Sequence, residues 1–417
     1  MKVLHINTND TGGGAARGCY WLHEELQSQN INSQMLVLRK ESADDTVHTL
    51  FEDGLKKVKE RLVPRADRLL LRLYGKTSEE PWSVGFVPNN LVSRIRELSP
   101  DVVHLHWVGS GLLPIAALSK IKLPLVWTLR DMWPITGGCH YSGGCEQYQE
   151  GCGDCPQLKK SGEYDLSKLI NQYKQRKWEG VDMNPVAISS WLAECANNST
   201  LFKEREAKVI PNGIPLGKFA PVEKRQAREL LGLKQDEKYI LFGAINAIQD
   251  RRKGFGYLRD ALLSVCTEEG DLSGLVFGNR ESDPFREMDV PISALGFLND
   301  TISLRLVYSA ADVMVVPSLQ EAFGKTAAES LACGTPVVCF KGTGCADIVE
   351  HGKSGYLAAP RSSEDLARGI REIVESEQYG SLCDNARSRA EQLFDIKTVA
   401  QRYIKLYSRV LENGSEV

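Results

Sequence analysis

Short apolar runs alternate with helical segments along the first half of the chain. The pattern predicts helices that include Ala15–Ser28 and Leu113–Lys120. It predicts strands at Val3–Ile6, Ser33–Leu38, Asp101–Trp107, Leu125–Leu129, Val186–Ile188 and Lys208–Ile210. Apolar strands that alternate with helices are typical of a parallel sheet covered by helices on both faces.

The same rhythm restarts near residue 239, after a segment of mixed charge with two prolines at about 213–237. Further strands are predicted at Tyr239–Phe242, Leu275–Phe277, Ile292–Phe297, Val313–Val316 and Pro336–Phe340. We therefore expect an α/β protein with two doubly wound domains, residues 1–213 and 214–395, and a terminal helix within residues 396–417. Ligands of such sheets bind at the carboxyl ends of the strands, so the cleft between the domains is the expected active site.

The charge balance limits the partners. The 417 residues include 51 Lys+Arg and 54 Asp+Glu, a formal net charge of −3. This balance argues against a dedicated nucleic-acid binder, which would show a basic domain. No apolar run reaches the roughly 18–20 residues that span a bilayer, and the opening MKVLHINTND predicts a strand rather than a secretory signal. We expect a cytoplasmic protein, or one peripheral on the inner face of the cytoplasmic membrane.

Residues 55–76 depart from this balance. Only Glu60 and Asp67 are acidic there, and leucines interleave with eight basic residues: Lys56, Lys57, Lys59, Arg61, Arg65, Arg68, Arg72 and Lys76. Two interpretations stay open. One is a solvated helical hairpin broken at Pro64, and the other is a basic amphipathic patch in contact with an anionic membrane.

Four of the eleven cysteines are clustered in a glycine-rich insertion, residues 137–158. Cys139, Cys145, Cys152 and Cys155 follow the spacing C-x5-C-x6-C-x2-C. Four thiolates suit a tetrahedral structural zinc and leave no open position for catalysis. A metal-free cluster, an iron–sulfur cluster and two disulfides stay as alternatives.

A pair of glutamates stands at the start of a predicted helix in the second domain. Glu321 and Glu329 are separated by seven residues, and Gly324 is predicted to open the helix between them. The backbone amides of Phe323–Thr326 then point out of the helix N-terminus, where anions bind. A glutamate in the position of Glu329 can accept hydrogen bonds from vicinal hydroxyls such as those of ribose.

The string PSLQEAFGKTAAESLACGTPVV at 317–338 resembles the E-x7-E signature of glycosyltransferase family 4, which comprises retaining nucleotide-sugar transferases of the GT-B fold. In that fold two Rossmann-like domains face each other across a cleft, and the final helix crosses back to the first domain. Further elements that resemble the family occur in the same order: Gly12–Gly14, Val209–Gly213, Arg252–Gly254, Ala311–Asp312 and Gly342–Leu357.

The resemblance implies a mechanism without a catalytic metal. It implies transfer of a sugar from a nucleoside-diphosphate sugar to a hydroxyl of a saccharide, on a lipid-linked acceptor, in capsule, exopolysaccharide or lipopolysaccharide synthesis. Glu321 would contact the donor sugar, Lys253 the phosphates, and His106 the reacting sugars. The donor-binding set implied by the family comprises Gly13, Gly14, Arg252, Phe323, Gly324, Lys325, Thr326 and Glu329.

The sequence also departs from the family. The arginine that usually follows the strand glycine is missing at Gly243-Ala244, so Arg251 or Arg252 is left to reach the diphosphate. The usual T-x-H-D reads Thr128-Leu129-Arg130-Asp131, and Arg130 cannot act as a base. Arg130 is instead expected to bind a phosphate or an acidic acceptor sugar, with Asp131 as a second acceptor ligand.

Three other functions are alternatives to this one. A GT-B nucleotide-sugar epimerase shares the fold and the nucleotide site but lacks an acceptor-side insertion. An inactive, nucleotide-binding interaction protein would explain the departures at Ala244 and Arg130. A Rossmann dehydrogenase is poorly supported, because Gly12–Gly14 is not a G-x-G-x-x-G motif.

Overall fold

The computed structural model describes residues 1–52, 54–77, 80–243, 250–266, 271–278, 290–298 and 300–414. The chain divides into two compact units. Unit 1 comprises Met1–Gly213 with Lys397–Val417, and unit 2 comprises Ile214–Ile396.

Unit 1 is built on a parallel seven-stranded sheet with the order β3-β2-β1-β4-β5-β6-β7. Its strands are β1 Lys2–Asn9, β2 Asn32–Arg39, β3 Val47–Thr49, β4 Val102–Leu105, β5 Leu125–Leu129, β6 Asn184–Ala187 and β7 Lys208–Val209. The order reverses between β1 and β4, where His5 lies opposite His104 in the register. In doubly wound sheets this reversal is where ligands bind, at the carboxyl ends of the strands.

The helices of unit 1 surround this sheet. They are α1 Gly14–Ser28, α2 Lys56–Asp67, α3 Leu69–Tyr74, α4 Leu91–Leu98, α5 Leu166–Trp178 and α6 Ser190–Asn198. Side chains that accept backbone N–H groups begin two of them, Asp165 for α5 and Ser189 for α6, which satisfies donors that a helix start leaves free. The predicted helix at 113–120 is instead a 3-10 helix at Ile115–Lys120, preceded by Pro114.

Of the two interpretations of residues 55–76, the helical hairpin is wrong. Only Arg68 separates α2 from α3, whereas a helical hairpin needs a loop of about 2–5 residues. Pro64 lies inside α2, and the helix continues past it to Asp67.

Unit 2 repeats the same strand order in a parallel six-stranded sheet, β10-β9-β8-β11-β12-β13. Its strands are β8 Lys238–Gly243, β9 Leu272–Phe277, β10 Ile292–Ala294, β11 Val313–Val316, β12 Val337–Phe340 and β13 Gly355–Ala358. Its helices are α7 Lys224–Leu230, α8 Phe255–Val265, α9 Thr301–Ala310, α10 Lys325–Ala332, α11 Ser363–Val374 and α12 Tyr379–Phe394. The reversal of strand order lies between β8 and β11, so the loops after these strands form the expected binding edge.

The last helix, α13, spans Ile396–Gly414 and belongs to unit 1 from Lys397 onward. Its Tyr403 and Tyr407 are buried, and their hydroxyls reach the polar side chains at the centre of the unit 1 sheet. Among the described helices, none is long and apolar enough to cross a membrane.

Candidate active site

The loop between β11 and α10 forms the centre of the unit 2 site. Gly324 precedes α10 with φ +94°, and a Cβ there would lie 2.2 Å from Cys345 Sγ. Only glycine therefore fits this tight approach to the loop after β12. The packing fixes the backbone of Phe323, Gly324, Lys325 and Thr326 at the helix start.

Two cations meet the first glutamate of the signature. Lys253 Nζ donates to Glu321 Oε2 at 2.6 Å, and Arg252 Nη1 lies 3.6 Å from the same oxygen. Burial acts to raise the pKa of Glu321, but the charges of Lys253 and Arg252 outweigh it and hold that pKa below its ordinary value. Glu321 is therefore an anion at neutral pH, held between two cations.

Gly254 brings these cations into place. It has φ +70°, and a Cβ at this position would lie 1.9 Å from the carbonyl oxygen of Pro317. Asp250 accepts hydrogen bonds from the backbone and the guanidinium of Arg252. Arg252 is thus anchored, whereas Ala244 and the rest of 244–249 lie outside the described residues.

The second glutamate lies on the buried face of α10. Glu329 is 2% exposed, and its Oε2 accepts from the hydroxyl of Tyr308 at 2.8 Å. Its Oε1 has Lys325 Nζ at 3.4 Å and no hydrogen bond within the described residues. One carboxylate oxygen is therefore left as an acceptor at the carboxyl-end edge of the sheet.

The glycine loop of unit 1 follows β1. Gly13, with φ +93°, precedes α1, and a Cβ built on Gly13 or Gly14 meets no atom within 4 Å. Asp10 fixes the approach to this loop, because its buried carboxylate accepts backbone N–H groups of Thr11, Glu41 and Ser42. The loop therefore presents backbone donors beside open space.

Arg130 follows β5 and is buried, with 6% of its surface exposed. It donates to His106 Nδ1 from Nη2 at 3.0 Å, and it donates to the Oδ1 of Asn212. Gly18 of α1 makes room for it, since a Cβ there would lie 2.8 Å from Nη1. No carboxylate in the described ranges forms an ion pair with Arg130.

His106 is buried beneath this guanidinium, at 1% exposure. Because Nδ1 accepts from Arg130, the proton is assigned to Nε2, which donates to His5 Nδ1 at 2.9 Å. Burial, and after it the neighbouring histidines and Arg130, hold the pKa of His106 well below its ordinary value. The described contacts make this neutral histidine a support for Arg130, and a catalytic His106 stays a prediction.

A second network extends from the same strands to α13. His104 Nε2 lies 2.7 Å from Thr128 Oγ1, and its Nδ1 lies 2.6 Å from the hydroxyl of Tyr407. Thr128 in turn contacts the hydroxyl of Tyr403 at 2.8 Å. These bonds lock the terminal helix to the strands that bear the unit 1 site.

The carboxylate of Asp131 contacts the ring of His140. Its Oδ2 lies 2.5 Å from His140 Nδ1, and the other nitrogen of His140 lies 2.9 Å from Ser83 Oγ. His140 stacks on Trp107 with ring centroids 4.9 Å apart, and both residues line a cavity of about 790 Å³. Asp131 therefore holds His140 at the wall of this cavity, and its role as an acceptor ligand stays a prediction.

The four clustered cysteines line one small cavity and are free thiols, so the disulfide alternative is wrong for this structure. A backbone N–H of Gly137 donates to Cys152 Sγ at 3.2 Å. Burial raises the pKa of Cys152 to about 11 and that of Cys155 to about 12. Buried Lys174 ties α5 to the start of the insertion, because its Nζ donates to the carbonyls of Trp133 and Thr136.

Within the described residues, only His5, Cys19 and His106 bring three metal-ligating atoms together, within 4.8 Å of one another. A cation there would face the guanidinium bonded to His106, which makes the group a poor metal site. No three of the clustered cysteines bring their sulfur atoms within 4.8 Å of one another in the described structure, whereas sulfur atoms around a tetrahedral zinc lie about 3.8 Å apart.

Comparison with known proteins is consistent with this geometry. Residues 12–218 match the family model "Glycosyltransferase Family 4", and residues 237–376 match "Glycosyl transferases group 1". A D-inositol 3-phosphate glycosyltransferase of Actinosynnema mirum is 31% identical over 67% of this chain and 67% of its own length.

Two further proteins are similar over nearly the whole chain. The putative colanic acid biosynthesis glycosyl transferase WcaC of Escherichia coli is 22% identical over 98% of this chain and all of its own length. The structure of Anabaena HepE, solved with UDP and glucose, superposes with a TM-score of 0.67 at 19% identity, over 98% of this chain and 100% of that one. That superposition shows the GT-B fold.

Proposed function

The chain belongs to glycosyltransferase family 4, and on that premise we propose that it moves a sugar from a nucleoside-diphosphate sugar to a hydroxyl of a lipid-linked saccharide, with retention of anomeric configuration. The observation that best supports this is the meeting of Lys253, Arg252 and Glu321 beside the α10 helix start, at the reversal point of the unit 2 sheet. Cations and helix N-terminal amides are the groups that bind a diphosphate.

The donor roles follow from these contacts. Lys253 and Arg252 bind the diphosphate and stabilise the negative charge that grows on it as the glycosidic bond breaks. Glu321, released in part from its two cations, accepts hydrogen bonds from the donor sugar. The acceptor atom Oε1 of Glu329 takes the ribose hydroxyls. Between Arg251 and Arg252, we assign Arg252 to the diphosphate, since its guanidinium lies beside Glu321.

The chemical step needs charged groups that stabilise the leaving phosphate, but it does not need a base from the protein. In a retaining transfer on one face of the sugar, the leaving phosphate can accept the proton of the acceptor hydroxyl. Neutral His106, with both ring nitrogens bonded, is therefore not needed as a base. We propose that it positions Arg130, and that Arg130 binds an anionic group of the acceptor.

The biological setting is a surface polysaccharide. WcaC is named for colanic acid biosynthesis and HepE was solved with UDP and glucose, which supports a UDP-sugar donor and an extracellular polysaccharide as product. Such acceptors are carried on lipid, and α2–α3 exposes leucines beside basic residues. We propose that the enzyme works on the inner face of the cytoplasmic membrane through residues 55–76.

The test is transfer of labelled sugar from UDP-sugars to a lipid extract that contains lipid-linked saccharides. We expect a labelled, lipid-soluble product whose new linkage has the donor's anomeric configuration by NMR. Protein with Lys253→Ala serves as the inactive control. A nucleotide sugar converted to its epimer without transfer, or nucleotide binding without any product, would instead favour the epimerase or the inactive protein.

We also propose one structural zinc, held by Cys139, Cys145, Cys152 and Cys155. The shared cavity and the N–H donor to Cys152 support the site, while the spacing of the sulfur atoms requires the loop to contract on binding. Zinc would hold the insertion rigid, and no step of transfer involves it. Elemental analysis of untagged protein should find about one zinc per chain, lost in Cys152→Ser together with thermal stability; a folded wild type without zinc would contradict the proposal.

A further inference from the structure

The cavity beside His140 has an unusual lining. It measures about 790 Å³ and lies wholly in unit 1, at the end of β2 and in the loops after β4. Among the described residues, no aspartate or glutamate lines it. Six cationic residues do, namely Arg39, Arg61, Arg65, Arg68, Arg72 and Lys76.

The helices α2 and α3 supply most of these charges as a single stripe. Arg61, Arg65, Arg68 and Arg72 follow one another at intervals of four, three and four residues, which places them on one face of a helix. Asp67 forms no ion pair with these arginines, and its buried carboxylate accepts the backbone N–H groups of Val84 and Gly85.

The arginines that line the cavity lack a carboxylate partner in the part of the chain that the structure describes. Within the described ranges, no carboxylate forms an ion pair with Arg39 or with any of the four arginines of the stripe. Five exposed guanidinium groups around one cavity make it strongly cationic, so an anion of high charge density is the ligand that it would attract. Arginine matches phosphate oxygens through two parallel N–H donors.

The neighbouring face of the same helices is apolar. Val58, Leu62, Leu69 and Leu73 are 50%, 52%, 59% and 63% exposed, and they repeat at intervals of four, seven and four residues. This face lies beside the arginine stripe along the helices. A ligand with a phosphate group next to a long apolar chain would contact both faces at once.

The other wall of the cavity suits a sugar. Trp107, stacked on His140, and Trp82 line it, and aromatic rings with polar groups beside them commonly bind sugar rings and their hydroxyls. Ser83 and Ser110 add polar groups at the same wall. A volume of about 790 Å³ falls in the range of small-molecule sites, roughly 300–1,000 Å³.

We infer that this cavity binds the diphosphate of a lipid-diphosphate-linked saccharide, with the arginine stripe on the phosphates, the leucine face on the lipid chain and the Trp107 wall on the first sugar. The inference rests on the proposed function, because it names the acceptor class of the same enzyme. It also places the acceptor's phosphates in unit 1, apart from the donor's phosphates at Lys253.

The test uses farnesyl diphosphate, inorganic pyrophosphate and farnesol as probes in titration calorimetry. Farnesyl diphosphate should bind best, pyrophosphate more weakly, and farnesol least. In the double variant Arg65→Gln/Arg68→Gln, farnesyl diphosphate should bind roughly tenfold more weakly, since each exposed ionic contact contributes a factor of about two to five. The matched control, Lys56→Gln/Lys57→Gln, removes the same charge from α2 outside the cavity and should bind as wild type does.

Three results would overturn the inference. One is equal loss of affinity in the two double variants, which would mean a general charge effect. Another is binding of pyrophosphate but not of farnesyl diphosphate, which would mean a free phosphate site. The third is a protein that binds phosphatidylglycerol vesicles and, in their presence, no longer prefers farnesyl diphosphate to farnesol. That result would mean that the arginines serve only to attach the protein to a membrane.

The nucleotide response separates this inference from the proposed function. The Arg65→Gln/Arg68→Gln variant should keep the full thermal shift with the preferred nucleoside diphosphate, and Lys253→Ala should lose it. If nucleotides bind and farnesyl diphosphate does not, only the acceptor inference fails. If no nucleotide binds the wild type, the proposed function itself fails.

Discussion

Units 1 and 2 share one strand order, but they differ in whether a carboxylate pairs with the basic side chains of the candidate site. In unit 2, Lys253 and Arg252 are both held by Glu321. In unit 1, Arg130 and the arginines around the cavity have no carboxylate partner in the described part of the chain. The protein thus supplies the counter-charge at one site and leaves it to a ligand at the other.

This difference has an energetic meaning. A buried guanidinium without a counter-charge is costly, and hydrogen bonds to His106 and Asn212 offset only part of that cost. At the unit 2 site Glu321 already supplies the counter-charge. The diphosphate of a nucleotide sugar must therefore share Lys253 with Glu321. We therefore expect substitutions in unit 2 to act on nucleotide binding and turnover, and those in unit 1 to act on the acceptor.

The largest effect is expected for Lys253→Ala. Loss of the charge that stabilises the leaving diphosphate should lower kcat by about 10²–10³-fold, measured as release of nucleoside diphosphate. Lys353→Ala, at an exposed lysine of the same unit, is the control. A wild-type rate in Lys253→Ala would remove the lysine from the reaction.

Next in size is Glu329→Ala. Without Oε1 as an acceptor, nucleotide affinity should fall on the order of 10–100-fold, because hydrogen bonds to a carboxylate contribute about 1.5–3 kcal/mol. Calorimetry with the preferred nucleotide measures the change, and Glu364→Ala on the surface of α11 is the control. Unchanged affinity would place the ribose elsewhere.

Arg130→Gln tests the unpaired cation of unit 1. The variant should raise the KM for acceptor roughly tenfold and leave nucleotide affinity unchanged, since a neutral side chain cannot attract an anionic acceptor. Steady-state kinetics with a fixed donor concentration measure this, against Arg96→Gln on α4. Weaker nucleotide binding would show that Arg130 serves the donor.

Lowering the pH should reduce the stability of unit 1 before that of unit 2. Burial, the largest cause in each case, holds the pKa values of His5, His104 and His106 well below their ordinary value, and it lowers the pKa of His23 to about 4. Below about pH 6.5 the unfolded chain then binds more protons than the folded one, so stability falls as pH falls, on the order of 1 kcal/mol per pH unit for each group.

Unit 2 has a single histidine, His351, and it is exposed. Hydrogen exchange at pH 7 and pH 5.5 should therefore show protection lost in the strands of unit 1 while those of unit 2 change less. Equal losses in both units would contradict the assignment of neutral buried histidines.

The smallest effect is expected for Gly18→Ala. The new Cβ would lie 2.8 Å from Arg130 Nη1 and must displace it, while the helix itself favours alanine by about 0.5–1 kcal/mol. Thermal stability should change little, and the acceptor KM should rise a few-fold. Gly380→Ala, which meets no atom within 4 Å, should leave the acceptor KM unchanged.

Much of the fold could be predicted because its signals are local. The apolar strands, the turn at Gly324 and the E-x7-E pattern all depend on residues close together in sequence. The Asp131–His140 contact could not be predicted, since the path of the glycine-rich insertion decides it. Neither could the bond from His104 to Tyr407, which joins residues 303 positions apart.

The basic cavity illustrates the limit most clearly. The sequence shows the eight basic residues of 55–76. The helical-hairpin interpretation did not predict that four arginines share one face. Continuation of α2 into α3 through Arg68 places four arginines on one face, and packing of Asp67 onto Val84 and Gly85 turns that face toward Trp107. Tertiary contacts, rather than composition, define the site.

The most direct test of the central claim is a thermal-shift panel of UDP, GDP, ADP and CMP with their common sugar conjugates. At about 100 times its dissociation constant, a nucleotide stabilises the folded protein by roughly 2.7 kcal/mol. We predict that one nucleotide class, with UDP the first candidate, stabilises the wild type and stabilises Glu329→Ala about half as much or less. The absence of any shift in the wild type would contradict the account.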